Sequence, residues 1–167
     1  MIRNILIEGI DRAGKSTLAK ELKNRLAWDA RFLGHREGEQ YTRYLHEYAA
    51  LERTVIERGH ISEAVYSRLF ARDDPFTATT EAVLDGVIAT TMLIVYADPS
   101  LEDVAGRMRE RTLQATINAA EIVAGKDAFA HWFAGHDYGG RVLTYHSRDW
   151  DELRALVDTI AARVEAS

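Results

Sequence analysis

The order of hydrophobic and polar residues along the chain predicts short buried strands that alternate with helices. Short apolar runs end at polar residues, and segments with apolar residues at helical spacing separate them. The predicted strands cover residues 2–7, 31–34, 54–56, 91–97 and 141–145. The predicted helices cover residues 15–26, 41–51, 62–71, 77–89, 101–112, 118–134 and 150–165. Ser62 is the expected N-cap of the third predicted helix, because its hydroxyl can accept a hydrogen bond from the first turn.

This alternation favours an α/β fold of three layers, with helices on both faces of a parallel sheet of about five strands. The 167 residues fit a single domain that covers 1–167, since no repeat or linker divides the chain. Polar residues follow three of the strands, at Glu8, at 35–37 and at Glu57 with Arg58. Ligands of such sheets bind at the carboxyl ends of the strands, so we expect a site at that edge.

Composition narrows the function classes. The chain has no Cys, which excludes thiol catalysis, disulfides and Cys-ligated zinc. Its net charge of −5 argues against a broadly basic surface for duplex nucleic acid. The cations include only four lysines, at 15, 20, 23 and 126, so arginines dominate; this is either a weak sign of local anion recognition or a bias of the coding DNA. No apolar run is long enough to span a membrane and the N-terminus is too short for a signal sequence, so we expect a cytoplasmic location.

A phosphate-binding motif carries the chemistry. Residues 9–16 match the pattern G-x-x-x-x-G-K-[ST], placed after a predicted strand and at the start of a predicted helix. Backbone amides and the helix N-terminus would surround phosphate oxygens, Lys15 would contact the β and γ phosphates, and Ser16 would ligate Mg²⁺. The alternative is that these residues form a chance Gly-rich turn. The predicted strand before the motif and the predicted helix after it argue against that alternative. The motif therefore predicts ATP with Mg²⁺, held by Gly9, Asp11, Arg12, Ala13, Gly14, Lys15, Ser16 and Thr17.

The wider string at residues 7–17, IEGIDRAGKST, closely resembles the phosphate loop of thymidylate kinases. This resemblance, to thymidylate kinase-like P-loop nucleotide and nucleoside kinases, implies the P-loop NTPase fold. It also implies that Asp11 orients an acceptor's sugar and that Arg12 is catalytic, stabilising the phosphoryl group in transfer. From the residues alone, Asp11 can equally shape the loop as an Asx turn, and Arg12 can be a solvated side chain.

Two further stretches are similar to the family's motifs. His35-Arg36-Glu37-Gly38 occupies the place of its Arg-Glu-Pro-Gly, which implies that Arg36 holds an acceptor phosphate. Glu57-Arg58 occupies the place of its Asp-Arg, which implies Glu57 near Mg²⁺ and a catalytic Arg58 on the acceptor. His60 follows closely, either touching the acceptor or lying in a surface turn.

The resemblance implies an ATP-dependent kinase whose acceptor is a thymidine-like deoxynucleotide, dTMP or a relative. It also implies a homodimer, since thymidylate kinases are commonly dimers. With such an acceptor, Glu37 would be a group that positions it. The alternative is a hydroxyl kinase, in which Glu37 would be the base, as in the related deoxynucleoside kinases. Its acceptor would be a deoxynucleoside or 5-hydroxymethyluracil in phage DNA, because the short segment 41–53 can leave a site open to a flipped base.

A different class is a switch protein that hydrolyses ATP or GTP slowly, although the Asn-Lys-x-Asp motif that reads guanine is absent. Arg107, Arg109 and Arg111 mark either a short lid around 107–125 or a solvated helix face. Arg107 is assigned to the ATP site, and so is Arg148, which follows the last predicted strand where related kinases hold adenine. Trp28 and Trp150 are assigned to packing.

Overall fold

The computed structural model describes residues 1–110 and 119–167, apart from the side chains of 109 and 110. Residues 111–118 of the predicted lid, including Arg111, and the side chain of Arg109 therefore lie outside the described part of the chain. The strands are β1 (Asn4–Gly9), β2 (Asp29–Phe32), β3 (Thr54–Glu57), β4 (Met92–Ala97) and β5 (Val142–Tyr145). The helices are α1 (Lys15–Leu26), α2 (Gln40–Ala50), α3 (His60–Leu69), α4 (Ala78–Thr91), α5 (Leu101–Glu110), α6 (Ala119–Gly135) and α7 (Trp150–Glu165).

All five strands form one parallel sheet in the order β2-β3-β1-β4-β5. Strand β1 is central, with β3 on one side and β4 on the other. After β1 the chain forms β2 and β3 on one side of this strand, and it then forms β4 and β5 on the other side. The strand order therefore changes direction beside β1. In open α/β sheets this point is where ligands bind.

Helices cover both faces of the sheet. Helices α1 and α7 contact each other, while α2 contacts α3 and α4, and α3 contacts α6. Right-handed crossovers that run toward opposite edges of a sheet place their helices on opposite faces. This accounts for the separation of α1 and α7 from the group of α2, α3, α4 and α6. The predicted α/β architecture with a five-stranded parallel sheet is confirmed. Among the described residues, no helix combines the length and the apolar character needed to cross a bilayer.

The central and edge strands differ in burial. Two predicted strands, 2–7 and 31–34, are displaced by two residues, because the structure has them at Asn4–Gly9 and Asp29–Phe32. Every residue of β1 and β4 is buried, as their apolar runs predict. Every residue of β2 is exposed, because this strand lies at the edge of the sheet. The strand predicted at 31–34 therefore begins two residues earlier, at Asp29, in positions that no apolar pattern marks. Leu33, just after β2, is the residue of this segment that enters the core.

The predicted start of α3 is wrong for a tertiary reason. The helix begins at His60 with Gly59 as its N-cap, so Ser62 lies inside the first turn. The buried carboxylate of Glu8 replaces a local cap: its Oε1 accepts hydrogen bonds from the amides of Gly59 (2.8 Å) and Ser62 (3.4 Å), and its Oε2 accepts one from the Ser62 hydroxyl. Burial raises the pKa of Glu8, and these hydrogen bonds oppose that rise. Through Glu8, the end of β1 thereby holds Gly59, which follows β3, and the first turn of α3 in place.

Candidate active site

Two cavities lie at the carboxyl edge of the sheet. The larger has a volume of about 770 Å³ and the smaller about 320 Å³. The larger is lined by residues 11–17, Phe32, Glu57, Arg58, Arg107, Met108, Ile122, Tyr145, residues 147–150 and Leu153. The smaller is lined by Asp11, Leu33, Gly34, His35, Tyr44, Arg58, Ser62, Glu63, Tyr66, Phe70 and Arg72. Asp11 and Arg58 line both, so the two cavities meet at these side chains.

The loop between β1 and α1 has the backbone shape that its glycines permit. Gly9 has a φ of 134° and Gly14 a φ of 82°. A Cβ at Gly9 would collide with the carbonyl oxygen of Ala97, and one at Gly14 with the hydroxyl of Ser147. Gly14 caps α1 without a side-chain hydrogen bond, so no side chain of the described residues occupies that role at the helix start. Such a helix start presents free amides to an anion.

Lys15 folds over this loop. Its ammonium donates hydrogen bonds to the carbonyl oxygens of Gly9, at 2.8 Å, and of Ile10. Burial lowers the pKa of Lys15 to about 8, while the carboxylates of Glu57 and Glu8 oppose that shift. A buried ammonium held only by neutral carbonyls would gain strongly from a phosphate oxygen, which carries charge. Gly9 itself lies at the end of β1 and is the one predicted ATP-site residue that does not line the larger cavity.

Ser16 and Glu57 form a pair suited to Mg²⁺. The hydroxyl of Ser16 donates to Oε2 of Glu57 at 2.6 Å, and both residues line the larger cavity. Mg²⁺ prefers oxygen ligands and is usually bound by one or two carboxylates together with substrate phosphates. The described residues contain no cluster of three or more acidic or His side chains that would hold a metal without such a substrate. The predicted donor set therefore fits Mg²⁺ bound together with a nucleotide.

Strained backbone concentrates around the larger cavity. Arg12, Arg58 and Ser147 all have positive φ angles, of 66°, 64° and 59°, and all line it. This conformation is uncommon for residues other than glycine and persists where surrounding contacts enforce it. The guanidinium of Arg12 has no hydrogen bond or ion pair within the described part of the chain, so it is available on the cavity wall. Arg12 thus lies where the sequence motif predicts it.

Arg58 is held at the junction of the cavities. One of its terminal nitrogens pairs with Asp11, and the guanidinium lies 5.7 Å from the ring centre of Phe32 and 5.3 Å from that of Tyr66. Its Nε is buried and has no hydrogen-bond partner among the described residues. A buried donor without a partner is costly, and a substrate oxygen would relieve that cost. The amide of Asp11 donates to the Tyr66 hydroxyl at 3.1 Å, which ties the loop to α3.

Arg107 connects two loops of the larger cavity. Its guanidinium donates to the carbonyl oxygen of Arg12 at 2.7 Å and to the hydroxyl of Ser147 at 2.9 Å, and also to the Ser147 carbonyl oxygen. The structure thus brings Arg107 to the predicted ATP site. These contacts support the left-handed backbone of Arg12 and Ser147. Arg148 also lines the cavity, with an exposed side chain 3.8 Å from Glu152.

The smaller cavity contains a buried carboxylate that sequence reasoning missed. Glu63, on the first turn of α3, is only 5% exposed. Its Oε1 contacts Nδ1 of His35 at 2.8 Å and accepts a hydrogen bond from the Ser67 hydroxyl at 3.3 Å. Its Oε2 has no hydrogen-bond partner within the described residues. Since α3 starts directly after Glu57-Arg58, an acidic residue in its first turn was a signal that could have identified Glu63.

Aromatic side chains surround this carboxylate. Tyr44, Tyr66 and Phe70 line the same cavity, and the rings of Tyr66 and Phe70 stack at 5.8 Å. Arg72 lies at the edge of the cavity, 5.9 Å from the ring of Phe70, and has no ion pair among the described side chains. A flat, partly apolar ring that carries a hydrogen-bond donor would match this lining.

Three predicted acceptor-site residues are not brought to either cavity. Arg36 and Glu37 are exposed in the loop after β2 and line neither cavity. His60 is fully buried, with its ring nitrogens bonded to the Tyr48 hydroxyl (3.0 Å) and to Asp85 (3.1 Å). The surface-turn interpretation of His60 is therefore wrong, since the residue starts a helix against the core.

The two tryptophans assigned to packing differ. Trp28 is buried in the core, as predicted. Trp150 is 60% exposed and lines the larger cavity at the start of α7, so its assignment to packing is wrong. The hydrophobic periodicity of α7 predicts a buried Trp150. The residue is exposed because it is the first residue of the helix and lines the larger cavity.

Several solved structures share this fold, and kinases are among them. The YorR protein from Bacillus subtilis, solved in complex with phosphorylated GDP, matches with a TM-score of 0.82 and 18% identity over 97% of this chain and 95% of that one. Deoxyadenosine kinase from M. mycoides with bound dATP matches with a TM-score of 0.64 and 13% identity over 97% and 99% of the two chains. Thymidylate kinase from Candida albicans matches with a TM-score of 0.59 and 15% identity over 99% and 92%.

The fold does not by itself select the acceptor. A gluconokinase from Sinorhizobium meliloti, with 12% identity, and a shikimate kinase from Acinetobacter baumannii, with 18% identity, also match, with TM-scores of 0.61 and 0.59. No protein-family model and no curated protein sequence matches the chain. Thymidylate kinases are thus one of several kinds of P-loop kinase that share this architecture. The acceptor has to be argued from the site itself.

Proposed function

We propose that this protein is a P-loop kinase that transfers the γ-phosphoryl group of ATP to a nucleotide or nucleoside. The observation that carries the proposal is the meeting of the two cavities at Asp11 and Arg58. The larger cavity contains the phosphate loop and the smaller contains no part of it beyond Asp11. A donor in the first and an acceptor in the second would meet at these two side chains. The deoxyadenosine and thymidylate kinases among the structural neighbours support the same activity.

On the donor side, each role follows from position. Lys15 leaves its loop carbonyls for the β and γ phosphates, and Arg12 faces the transferring group from the cavity wall. Ser16 and Glu57 would hold Mg²⁺, directly or through water. The ion would neutralise part of the negative charge of the phosphates. Phosphoryl transfer depends mainly on such positioning and electrostatic stabilisation. Arg107 keeps the loop in shape rather than adding a further charge to the phosphates.

On the acceptor side, the first candidate is a thymidine-like deoxynucleotide such as dTMP. The smaller cavity would take the base between its aromatic side chains, with Oε2 of Glu63 accepting a hydrogen bond from a ring N–H. Arg58 and Arg72 would hold the acceptor phosphate, the former through the Nε that has no partner among the described residues. Asp11 would position the sugar, as the resemblance to thymidylate kinases implies.

The second candidate is a kinase of a hydroxyl group, on a deoxynucleoside or on a modified base in DNA. Two observations favour it. Arg36, which the family resemblance implies as the phosphate clamp, does not line the smaller cavity. Two carboxylates, Asp11 and Glu63, do line it, and a hydroxyl acceptor benefits from a carboxylate that takes its proton. In this case Asp11, next to the phosphate loop, is better placed as the base than the exposed Glu37.

The deciding experiment follows labelled phosphate from ATP or GTP, with Mg²⁺, into a panel of acceptors. The panel contains deoxynucleoside monophosphates, free deoxynucleosides, and DNA oligomers with and without 5-hydroxymethyluracil. Labelled diphosphate from dTMP or a relative identifies a nucleotide kinase, and label in a nucleoside or in modified DNA alone identifies a hydroxyl kinase. Hydrolysis that no acceptor stimulates would contradict the proposal and favour a switch protein.

A further inference from the structure

The larger cavity extends well beyond the phosphate loop. The loop follows β1 at the centre of the sheet, whereas Tyr145 and residues 147–150 follow β5 at its edge. Met108 and Leu153 line the cavity as well, and Leu153 lies one helical turn after Trp150. The part toward β5 thus contains the rings of Tyr145 and Trp150 and the apolar side chains of Met108 and Leu153, beside the polar residues 147–149, while the part at β1 contains the phosphate loop. A nucleoside triphosphate has the same division between a charged tail and a flat ring.

Trp150 is unusual on this wall. It is 60% exposed, although it belongs to a residue type that usually buries most of its surface. A single exposed apolar residue needs no explanation, but this indole is continuous with the apolar lining formed by Met108 and Leu153. This exposed residue thus lines a concave site that also contains the phosphate loop.

The backbone around Trp150 is held in place without a ligand. Asp149 caps α7 by accepting a hydrogen bond from the Glu152 amide at 2.8 Å. The carboxylate of Glu152 in turn accepts hydrogen bonds from the amides of His146 (2.9 Å) and Arg148 (2.8 Å). These reciprocal bonds fix the loop before α7 and the first helical residue together. A preorganised aromatic residue binds a ring with little loss of conformational entropy.

We propose that Trp150 is the stacking platform for the nucleobase of the phosphoryl donor. The inference rests on the proposed function, because it needs a nucleoside triphosphate on the phosphate loop. Stacking of a base on an aromatic side chain contributes about 1–3 kcal/mol per base and tolerates any base, since every base has a π face. Trp150 therefore adds affinity for the nucleoside part of the donor without selecting adenine over guanine.

The test compares Trp150→Ala with wild type in calorimetric titrations of ATP, GTP and inorganic tripolyphosphate, all with Mg²⁺. Loss of stacking should weaken ATP and GTP binding about 5- to 150-fold, the equivalent of 1–3 kcal/mol, and should leave tripolyphosphate binding unchanged. Trp150→Phe keeps a ring and should retain most of the affinity. Val83→Ala removes an exposed apolar side chain that lines neither cavity and should change nothing.

Unchanged ATP binding in Trp150→Ala would overturn the inference, and so would an equal loss of ATP and tripolyphosphate, which would indicate a structural role. A raised KM for the acceptor with an unchanged KM for ATP would overturn it as well, by moving the ring to the other substrate. Failure of the proposed function gives a different result, because it is measured on wild-type protein alone: no acceptor of the panel would receive labelled phosphate, whatever Trp150→Ala does to ATP binding.

Discussion

The two cavities differ in how the chain builds them. The larger takes seven consecutive residues, 11–17, from one loop and helix start. The smaller takes isolated residues from the end of β2, from α2 and from α3, such as Leu33, Tyr44 and Glu63. A phosphate loop works through backbone amides and glycine geometry, which a local motif encodes. The acceptor cavity depends on which side chains the fold brings together, so no contiguous motif describes it.

The strongest test of the donor side is Lys15→Ala. Its ammonium is the cation buried inside the phosphate loop, and transition-state charge is stabilised there, so we expect transfer to fall about 1000-fold. Lys20→Ala, an exposed position on the same helix, is the matched control and should retain full activity. Steady-state transfer assays measure both. Normal turnover of the Lys15 variant would contradict the assignment of this loop to the donor.

The junction of the cavities is tested by Arg58→Ala against Arg36→Ala. Arg58 lies on both cavities, and its buried Nε has no hydrogen-bond partner in the part of the chain that the structure describes. Charge-assisted hydrogen bonds contribute about 1.5–3 kcal/mol. We expect Arg58→Ala to lower kcat/KM for the acceptor about 100-fold. Arg36 is exposed and lines neither cavity, so Arg36→Ala should change kcat/KM for the acceptor by less than about twofold. The reverse order would show that the loop after β2 closes over the acceptor.

The metal prediction concerns Glu57. Replacing it with Gln removes the charge beside Ser16 but keeps the size of the side chain, so the Mg²⁺ concentration for half-maximal transfer should rise about 30-fold. The matched control is Glu52→Gln, an exposed carboxylate that pairs with Arg3 and lines neither cavity. Titration of Mg²⁺ at fixed ATP provides the readout. An unchanged Mg²⁺ requirement would remove Glu57 from the metal site.

The smallest expected effect is a change in the KM for the acceptor substrate, compared between Glu63→Gln and Glu37→Gln. Glu63→Gln keeps the shape and, with its amide oxygen at the Oε1 position, the contacts with His35 and Ser67. It places an amide NH2, a hydrogen-bond donor, where Oε2 would accept from the substrate, so the KM for the acceptor substrate should rise about tenfold. Glu37→Gln, in the exposed loop, should leave the acceptor KM within about twofold. Thermal unfolding of both variants controls for stability. A larger effect at Glu37 would restore it as the base of a hydroxyl kinase.

Sequence reasoning succeeded where local chemistry decides the structure. The apolar runs of β1 and β4 predict the fold class, which the structure confirms, and the motif at residues 9–16 predicts the glycine geometry of the loop after β1, because strand burial and glycine geometry are properties of short segments. The errors arise where a distant residue decides. Glu8 caps α3 in place of Ser62, and the sheet edge exposes β2 against its expected burial.

The site residues divide in the same way. Arg36 and Glu37 follow a strand, yet the loop after β2 carries them away from both cavities. Glu63 was not identified, because its place in the first turn of α3 was the only sequence signal and its burial depends on its partners His35 and Ser67. Trp150 is similarly ambiguous, since a helix-end aromatic residue is buried or exposed according to where the sheet ends.

The most direct test of the central claim measures KM for donor and acceptor in the same assay for wild type, Ser16→Ala and Glu63→Gln. If one cavity binds each substrate, Ser16→Ala should raise the KM for MgATP alone and Glu63→Gln the KM for the acceptor alone, with transfer reduced in both. If Glu63→Gln raises the KM for MgATP, or if either variant raises both values together, the division of donor and acceptor between the two cavities is wrong.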